Sequence, residues 1–449
     1  MVESTLIKGG LVVTGDSQGR VIPGGFVRIE GNRISEVGKG IPRLKSDETI
    51  DASKNVIIPG LLTAHTHLYG ILLRGATLGI EPPTDFAQVL QRVWWPLDEA
   101  LTLDDARASS LAASADMLRN GSTFYADTYS GPNSIDGVLD GISDAASKVG
   151  IRSMLAFEIT ERNSPQEAER GLQENVRFAQ RCFKEKGLSS AMMSLHASFT
   201  VSDELITRAV TRASGLEIPV TIHTSEGLVD VYHNLEKHGE RTVERLNRLG
   251  ALKRRTVLAH CVHVTAREIE MMARQGVGVA HNPMSNMLNA VGTSPVPDML
   301  ARRIPVGLGN DGWIYDPFEN MRCALTVHRL AAWNPSVMTA EQVFRMATID
   351  GARCYGLERE LGSIEAGKMA DLVFLGVSRV PTPLDGNSVI GHLVNTFGGR
   401  DVERVIVDGK TVVDHGRLSL ISDEEVAGRC QKTTQDLWSR LSKRSTKKQ

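Results

Sequence analysis

The stretch Pro59-Gly-Leu-Leu-Thr-Ala-His65-Thr-His67 is a short apolar run that ends in two histidines one residue apart. In a β-strand, residues i and i+2 point to the same face, so both imidazoles would project together from the strand end. Taken alone, such a pair fits two ordinary histidines as well as it fits half of a metal site. The rest of the chain must decide between these interpretations.

Seven further apolar segments of strand length alternate with helical stretches through the middle of the chain. Eight strand–helix units in a row favour a parallel (β/α)8 TIM-like barrel over an open sheet. One predicted helix starts at Thr102, whose hydroxyl could cap the first turn, and stops at Gly121. Another spans 166–184 and carries an apolar stripe from Leu172 to Phe183. The predicted barrel strands are 56–64, 121–127, 151–157, 192–198, 218–223, 256–262, 277–280 and 304–310.

The two ends of the chain differ from this middle region, because short β-branched runs there are separated by glycine, asparagine and aspartate. Such runs predict antiparallel strands joined by turns. A barrel closes on itself, so its two ends meet, and we expect a small β-sandwich domain built from both chain ends. The predicted division is 1–58 and 361–420 for the two parts of the sandwich, 59–360 for the barrel, and 421–449 for a C-terminal helix with a basic tail.

Composition and charge describe an ordinary globular enzyme, with 41% apolar residues, 23% charged residues and a net charge of −2. This balance disfavours nucleic acid and anionic membranes as partners. No run reaches the roughly 18 apolar residues of a membrane span, and the first residues do not resemble a signal peptide. The five cysteines are scattered without a C-x-x-C spacing, which is typical of a reducing compartment. We expect a cytoplasmic protein, and a homo-oligomer because exposed barrel helices often pair subunits.

Further histidines and acids stand at the ends of other predicted barrel strands. His223 ends the fifth strand, and Glu226 follows three residues later on the turn above it. His260 ends the sixth strand and Asp311 ends the eighth. A buried aspartate at a barrel mouth is costly unless it meets a cation. Because barrel enzymes carry their active sites at the carboxyl ends of the strands, these side chains and the first histidine pair together predict a metal site.

As a set, these segments resemble the amidohydrolase superfamily, and within it the deaminase branch. The resemblance covers nearly the whole chain. The stretch Asn286-Met-Leu-Asn-Ala-Val-Gly292, with Phe318-Glu319 after the eighth strand, looks most like the SsnA-type aminohydrolases, and the chain is more distantly similar to 8-oxoguanine and adenosine-type deaminases and triazine hydrolases. The segments that carry the resemblance are the opening Pro-Gly…His-x-His, His223-x-x-Glu226, Ala259-His260, Ala280-His281-Asn-Pro-Met-Ser285-Asn286, Gly309-Asn-Asp311-Gly and the run 362–373.

The resemblance implies a role for each matching residue. Glu226 matches the acid that moves protons between the attacking water and the substrate, and His260 matches the residue that orients the attacking hydroxide or polarises the substrate. Two-metal members of the superfamily place a carboxylated lysine at the end of strand four, where residues 192–200 contain no lysine. The resemblance therefore implies one divalent metal ion, zinc first and Fe²⁺ second, and leaves His196 facing the substrate. The implied metal ligands are His65, His67, His223 and Asp311, the last counted with the catalytic residues as well.

Four residues are candidates for substrate contacts, each with a structural alternative. His281 and Asn286 could bind polar edges of the substrate or form a polar turn. Glu158, after strand three, could bind a polar substituent or belong to a solvated loop. Trp94 could form part of an aromatic wall or belong to the core. Cys261 directly follows His260, so strand alternation turns it away from the site, and we do not interpret it as a nucleophile.

The function indicated is deamination of a small nitrogen heterocycle of purine, pterin, pyrimidine or triazine type. A metal-bound hydroxide would attack the ring carbon and ammonia would leave. Alternatives that stay open are cleavage of a cyclic amide C–N bond and displacement of another leaving group such as chloride. A binding protein on a hydrolase scaffold would have a broken metal shell. Metal-free hydrolysis would need a nucleophile elbow such as Gly-x-Ser-x-Gly between a strand and a helix, which the predicted barrel region lacks; the one match, Gly15-Asp-Ser-Gln-Gly19, lies in the N-terminal β region.

Overall fold

The structure, a computed structural model, describes residues 4–77 and 79–445. These residues form two β-sheets, one from both chain ends and one from the middle of the chain. Among the described helices, none is long and apolar enough to cross a membrane. The C-terminal helix that the sequence predicts is present, and the basic tail predicted after it lies, from residue 446 onward, outside the described residues.

The strands divide between the two sheets by their position in the chain. The terminal sheet is formed by β1 (Ser4–Val13), β2 (Val21–Glu30), β3 (Arg33–Lys39), β4 (Glu48–Asp51), β5 (Asn55–Pro59), β15 (Leu372–Gly376), β16 (Val402–Val407), β17 (Lys410–Asp414) and β18 (Arg417–Leu418). The barrel sheet is formed by β6 (Leu61–Thr66), β7 (Ser122–Tyr129), β8 (Arg152–Ile159), β9 (Ser189–Ala191), β10 (Met193–Ala197), β11 (Val220–Thr224), β12 (Thr256–His260), β13 (Gly278–His281) and β14 (Val306–Leu308).

Helices connect the barrel strands and follow the last of them. They are α1 (Phe86–Val89), α2 (Trp95–Ala100), α3 (Leu103–Arg119), α4 (Val138–Val149), α5 (Pro165–Glu185), α6 (Asp203–Gly215), α7 (Leu228–His238), α8 (Thr242–Arg248), α9 (Ala266–Gln275), α10 (Pro283–Leu288), α11 (Val296–Ala301), α12 (Pro317–Ala332), α13 (Ala340–Met346), α14 (Ile349–Tyr355), α15 (Val389–Asn395) and α16 (Asp423–Ser445). A π-helical turn, Leu90–Trp94, joins α1 to α2.

The barrel sheet confirms the predicted (β/α)8 architecture. Its strands pair in parallel in the order β6-β7-β8-β10-β11-β12-β13-β14, with the short β9 beside β8. The first and last strands approach each other closely, and the amide of Asn310 donates to the carbonyl of His65 across the seam at 3.0 Å. All carboxyl ends of the strands therefore lie on one rim, which is the arrangement that brings the predicted site residues together.

The terminal sheet confirms the expected β domain from both chain ends. Eight of its strands form one hydrogen-bonded path, and β4 pairs with β1 off this path. Apolar side chains from the two ends, such as Val12, Val27, Leu372 and Ile406, share one buried cluster. Arg152, at the start of β8, joins the barrel to this sheet through the carboxylates of Asp371 at 2.8 Å and Asp408 at 2.6 Å.

The prediction that residues 56–64 form one continuous strand is wrong. The run is two strands, β5 in the terminal sheet and β6 in the barrel, with Gly60 between them. The amide of Gly60 still bonds toward the terminal sheet, and the next amide, that of Leu61, donates into the barrel. Both strands are buried, so no change in hydrophobic pattern marks the point where the chain passes from one sheet to the other.

Two predicted helices are present, with one difference at the end of the second. Thr102 caps α3 through a reciprocal pair of hydrogen bonds with Asp105, as expected. In α5, Leu172 and Ala179 are buried, but Phe183 is 55% exposed. The apolar stripe thus ends one turn earlier than the sequence pattern indicates.

A substitution at Gly60 tests how closely the chain is packed where it passes from the terminal sheet to the barrel. An added Cβ would lie 2.0 Å from the Thr123 hydroxyl oxygen, so Gly60→Ala must displace that side chain. We expect a loss of about 1–3 kcal/mol in the free energy of unfolding, as for other overpacked sites. Gly187→Ala is the control, because an added Cβ there meets no atom within 4 Å. Denaturant midpoints that are equal for the two variants would contradict this account of the passage.

Candidate active site

Three imidazoles and one carboxylate converge at the carboxyl rim of the barrel. The Nε2 atom of His65 lies 3.1 Å from Asp311 Oδ1, and that of His67 lies 3.2 Å from the same oxygen. The Nε2 atoms of His67 and His223 are themselves 3.2 Å apart. Ligands in a tetrahedral shell at about 2.1 Å from a metal are roughly 3.4 Å from one another, so the spacing suits a single cation.

The outer nitrogens of two of these rings settle their tautomers. His67 Nδ1 lies 2.8 Å from the carbonyl of Thr128, and His223 Nδ1 lies 2.6 Å from the carbonyl of His196. A carbonyl only accepts hydrogen bonds, so both Nδ1 atoms carry the hydrogen and both Nε2 lone pairs point inward. Two lone pairs facing each other at this distance repel unless a proton or a cation lies between them. The donor set therefore fits a divalent metal ion.

The electrostatics of the cluster agree with this assignment. Burial lowers the pKa of His65 to about 4 and that of His223 well below its ordinary value, which keeps these rings in the neutral form that binds metals. At His67 burial also lowers the pKa, but the neighbouring Asp311 carboxylate outweighs it and raises the pKa to about 10. Asp311 thus attracts a positive charge to this point.

Glu226 and His260 stand next to the convergent groups. Glu226 is 8% exposed, and its Oε1 lies 3.6 Å from His260 Nδ1. Burial raises the pKa of the Glu226 carboxyl to about 7. His260 is fully buried, with its Nε2 3.7 Å from Asp311 Oδ1, and one of its ring nitrogens lies within 4.8 Å of a ligand atom of His65 and of His223. His260 thus lies within the convergent group, and its catalytic role stays a prediction.

A cavity opens beside this cluster, and three of the predicted substrate contacts line it: Trp94, Glu158 and His196. The Trp94 ring packs against His67 and Tyr69, at centroid distances of 6.0 Å and 5.9 Å. His196 Nδ1 bonds the hydroxyl of Thr200 at 2.7 Å, which leaves its Nε2 for a ligand. Trp94 ends the π-helical turn, a feature common at functional sites.

The other two predicted substrate contacts, His281 and Asn286, do not line the cavity. His281 Nε2 lies 3.0 Å from His328 Nε2, and Asn286 Oδ1 lies 2.8 Å from His260 Nδ1. The short α10 begins two residues after the end of β13, and this segment packs against His260 through Asn282 and Asn286. This placement favours the alternative interpretation of the segment as a polar turn, and a contact with the substrate stays a prediction.

Two acidic residues that line the cavity, Asp230 and Asp98, were not predicted from the sequence. The Asp98 carboxylate is 3% exposed, and its Oδ2 accepts hydrogen bonds from Arg162 at 2.8 Å and Ser130 at 3.1 Å. Asp98 lies on α2, which belongs to the long connection between the first two barrel strands, so no strand-end pattern marks it. Its sequence signal is an acidic pair, Asp98-Glu99, directly after the apolar Trp94-Trp95-Pro-Leu.

Comparison with known proteins agrees with the fold and the site. The Amidohydrolase family matches residues 56–412, and the chain belongs to this family. A 5'-deoxyadenosine deaminase of Methanosarcina mazei is 33% identical over 442 residues, covering 97% of this chain and 99% of the relative. A 5-methylthioadenosine/S-adenosylhomocysteine deaminase of Desulforudis audaxviator is 34% identical over 421 residues, covering 92% and 95%.

Solved structures have the same architecture. An adenosine deaminase from Xanthomonas campestris with bound zinc has a TM-score of 0.89 and 25% identity, and the match covers 97% of this chain and 98% of that chain. A guanine deaminase from C. acetobutylicum has a TM-score of 0.80 and 21% identity over 91% and 99% of the two chains, which supports the fold alone. The family and the barrel fold predicted from the sequence are confirmed.

Removing a convergent side chain should remove the metal. His67→Ala and Asp311→Ala each take away one of the inward-facing ligand atoms, so we expect bound metal to fall to a small fraction of the wild-type content. His328→Ala is the matched control, because within the described residues the His328 side chain bonds His281 and lies outside the cluster. Metal per folded chain, measured by plasma mass spectrometry after gel filtration, decides the point. Wild-type metal content in both ligand variants would contradict the assignment.

Proposed function

We propose that this protein is a metal-dependent deaminase that hydrolyses the amino group from the ring of an adenosine-type nucleoside and releases ammonia. One observation carries the proposal: Glu226, a buried carboxyl group, lies at the wall of a cavity beside His260 and a set of inward-facing metal ligands. Full-length relatives named as deaminases of 5'-deoxyadenosine and of 5-methylthioadenosine support the nature of the substrate.

The residues that would hold the metal are His65, His67, His223 and Asp311. A divalent cation bound there supplies a Lewis acid that makes a water molecule nucleophilic near neutral pH. We assign zinc first and iron(II) second, since both accept imidazole and carboxylate ligands. The zinc in the adenosine deaminase from Xanthomonas campestris supports this order.

Glu226 would carry the protons. The ring nitrogen beside the attacked carbon must gain a proton as the water oxygen adds, and the amino group leaves as ammonia only after it has also gained one. A carboxyl group with a pKa of about 7 populates both its forms near neutral pH. Glu226 would thus take one proton from the attacking water and deliver it to the ring nitrogen. It would then take the remaining proton from the hydroxyl group of the adduct and deliver it to the amino group, so that the C–N bond breaks, the carbonyl forms and ammonia leaves. His260, 3.6 Å away, would orient the attacking oxygen.

The acidic wall of the cavity suits the sugar of a nucleoside. Asp98 Oδ1 and Glu158 Oε1 are buried, and neither has a hydrogen-bond partner within the described part of the chain, although Glu158 Oε1 lies 3.4 Å from His223 Nδ1. Both residues line the cavity, so these oxygens would bind hydroxyl groups of a ligand. Trp94 would pack against the flat base, and His196 Nε2 would bind a polar edge of it. A ring that carries a hydroxylated substituent would therefore satisfy more of the hydrogen-bonding groups in the cavity than a bare ring would.

The substrate proposal is tested by ammonia release from a panel of amines. The panel contains 5'-deoxyadenosine, 5-methylthioadenosine, S-adenosylhomocysteine, adenosine, guanine and an aminotriazine, each with the metal content of the protein measured in parallel. We expect ammonia from the adenosine-type nucleosides, with kcat/KM at least about tenfold above that for the bare rings. Metal-loaded protein that releases no ammonia from any member would contradict the proposal, and chloride release from a chlorotriazine would favour another leaving group.

The proton-transfer role of Glu226 is tested by Glu226→Gln. The amide keeps the shape of the side chain but cannot accept a proton, so kcat should fall by about 10²–10⁴ while metal content and thermal stability stay near wild type. Glu236→Gln is the matched control, since Glu236 is an exposed residue of the neighbouring α7. Retained activity in Glu226→Gln would remove this residue from the mechanism.

A further inference from the structure

The segment that follows β13 passes behind the catalytic groups and contacts several of them. It runs from Asn282 through α10 to Asn289, and its polar side chains are buried. Ser285 Oγ donates to Asp311 Oδ2 at 2.5 Å, the carboxylate oxygen that does not face the other ligands. Asn289 Nδ2 donates to Ser285 Oγ at 3.2 Å, and Asn289 lines the cavity with Glu226. One turn of chain thus supports the Asp311 carboxylate.

The same segment holds His260 from both sides. Asn286 Oδ1 lies 2.8 Å from His260 Nδ1, and Asn282 Nδ2 lies 3.2 Å from His260 Nε2. An oxygen at Nδ1 accepts a hydrogen, whereas an amide nitrogen at Nε2 donates one. When the ring is neutral, the two amides together select the tautomer with its hydrogen on Nδ1 and its lone pair on Nε2, the nitrogen nearer Asp311.

Burial makes this selection strong. His260, Asn282 and Asn286 are at most 2% exposed, so little water competes for their polar atoms. Each amide has one further polar atom, Asn282 Oδ1 or Asn286 Nδ2, that meets no hydrogen-bond partner among the described residues. The two amides and the imidazole between them are therefore oriented as one unit, and the opposite tautomer would require both amides to rotate together.

We propose that the segment 282–289 is a positioning element for the acid–base groups, in which Asn286 fixes the tautomer and orientation of His260. Asn286 acts through His260 and does not touch the substrate. The kinetic consequence rests on the proposed deaminase function, whereas the tautomer of His260 does not.

The experiment measures the tautomer directly in the zinc-loaded protein. Two-bond ¹H–¹⁵N correlations of ¹⁵N-imidazole-labelled protein distinguish a ring protonated at Nδ1 from one protonated at Nε2, and the His260 signal is assigned by its loss in His260→Gln. We expect the Nδ1–H form in the wild type. In Asn286→Leu, which removes the acceptor at similar volume, the Nε2–H form should become populated.

Kinetics provide the second measurement. Asn286→Leu should lower kcat by about 10–100-fold with KM changed by less than about threefold, the pattern of a lost supporting contact rather than a lost substrate contact. Asn286→Asp keeps an oxygen that accepts from Nδ1–H, so it should restore the tautomer and most of kcat although a buried carboxylate makes it the less stable variant. If Asn286 only stabilised the fold, the variant with the lower thermal stability would also have the lower kcat.

The control is Asn175→Leu, another buried asparagine, which bonds only the backbone of Phe157 and the sulfur of Met193. It should lower thermal stability and leave the tautomer of His260 unchanged. The proposal is overturned by an Nε2–H ring in the wild type, or by an unchanged tautomer in Asn286→Leu whatever its kcat. If the leucine variant does not fold, Asn286→Ala replaces it, because it also removes the acceptor at Nδ1. The tautomer measurement needs no substrate, so it stays informative even if no substrate is found.

Discussion

The structure depends on one electrostatic constraint: His67 and His223 direct two nitrogen lone pairs toward each other at 3.2 Å, next to the carboxylate of Asp311. Backbone carbonyls hold the other nitrogen of each ring, so neither ring can relieve the repulsion by changing its tautomer. A cation relieves it and also compensates the buried carboxylate. The barrel supplies this geometry because parallel strands end on one rim, where side chains distant in sequence become neighbours.

Around this centre the groups divide by position. His67, His223 and Asp311 face the cavity directly, and Glu226, Asp98 and Glu158 line it beside them. His260 is fully buried next to Glu226 and Asp311. The segment after β13 buries several polar side chains next to this centre, and their hydrogen bonds to the site residues explain why they are there. A buried amide is costly unless it forms hydrogen bonds, and here each bonded amide atom meets His260 or a neighbour of it.

Most of the site could be predicted because strand ends are visible in the sequence. His65, His67 and Asp311 follow apolar runs, and a parallel barrel places such residues together without any knowledge of the loops. The passage at Gly60 could not be predicted, since both flanking strands are buried and differ only in which sheet they join. The position of Asp98 in the cavity and the orientation of the Asn286 side chain could not be predicted either. Both depend on tertiary packing, which the periodicity of the sequence does not encode.

The central claim, that the convergent side chains hold one catalytic cation, is tested most directly by X-ray absorption and anomalous diffraction on the purified protein. This account predicts a single anomalous peak bound at about 2.0–2.2 Å by the Nε2 atoms of His65, His67 and His223 and by Asp311 Oδ1. A peak bound by other residues, a second metal of equal occupancy at this rim, or active protein with no metal at this position would contradict it.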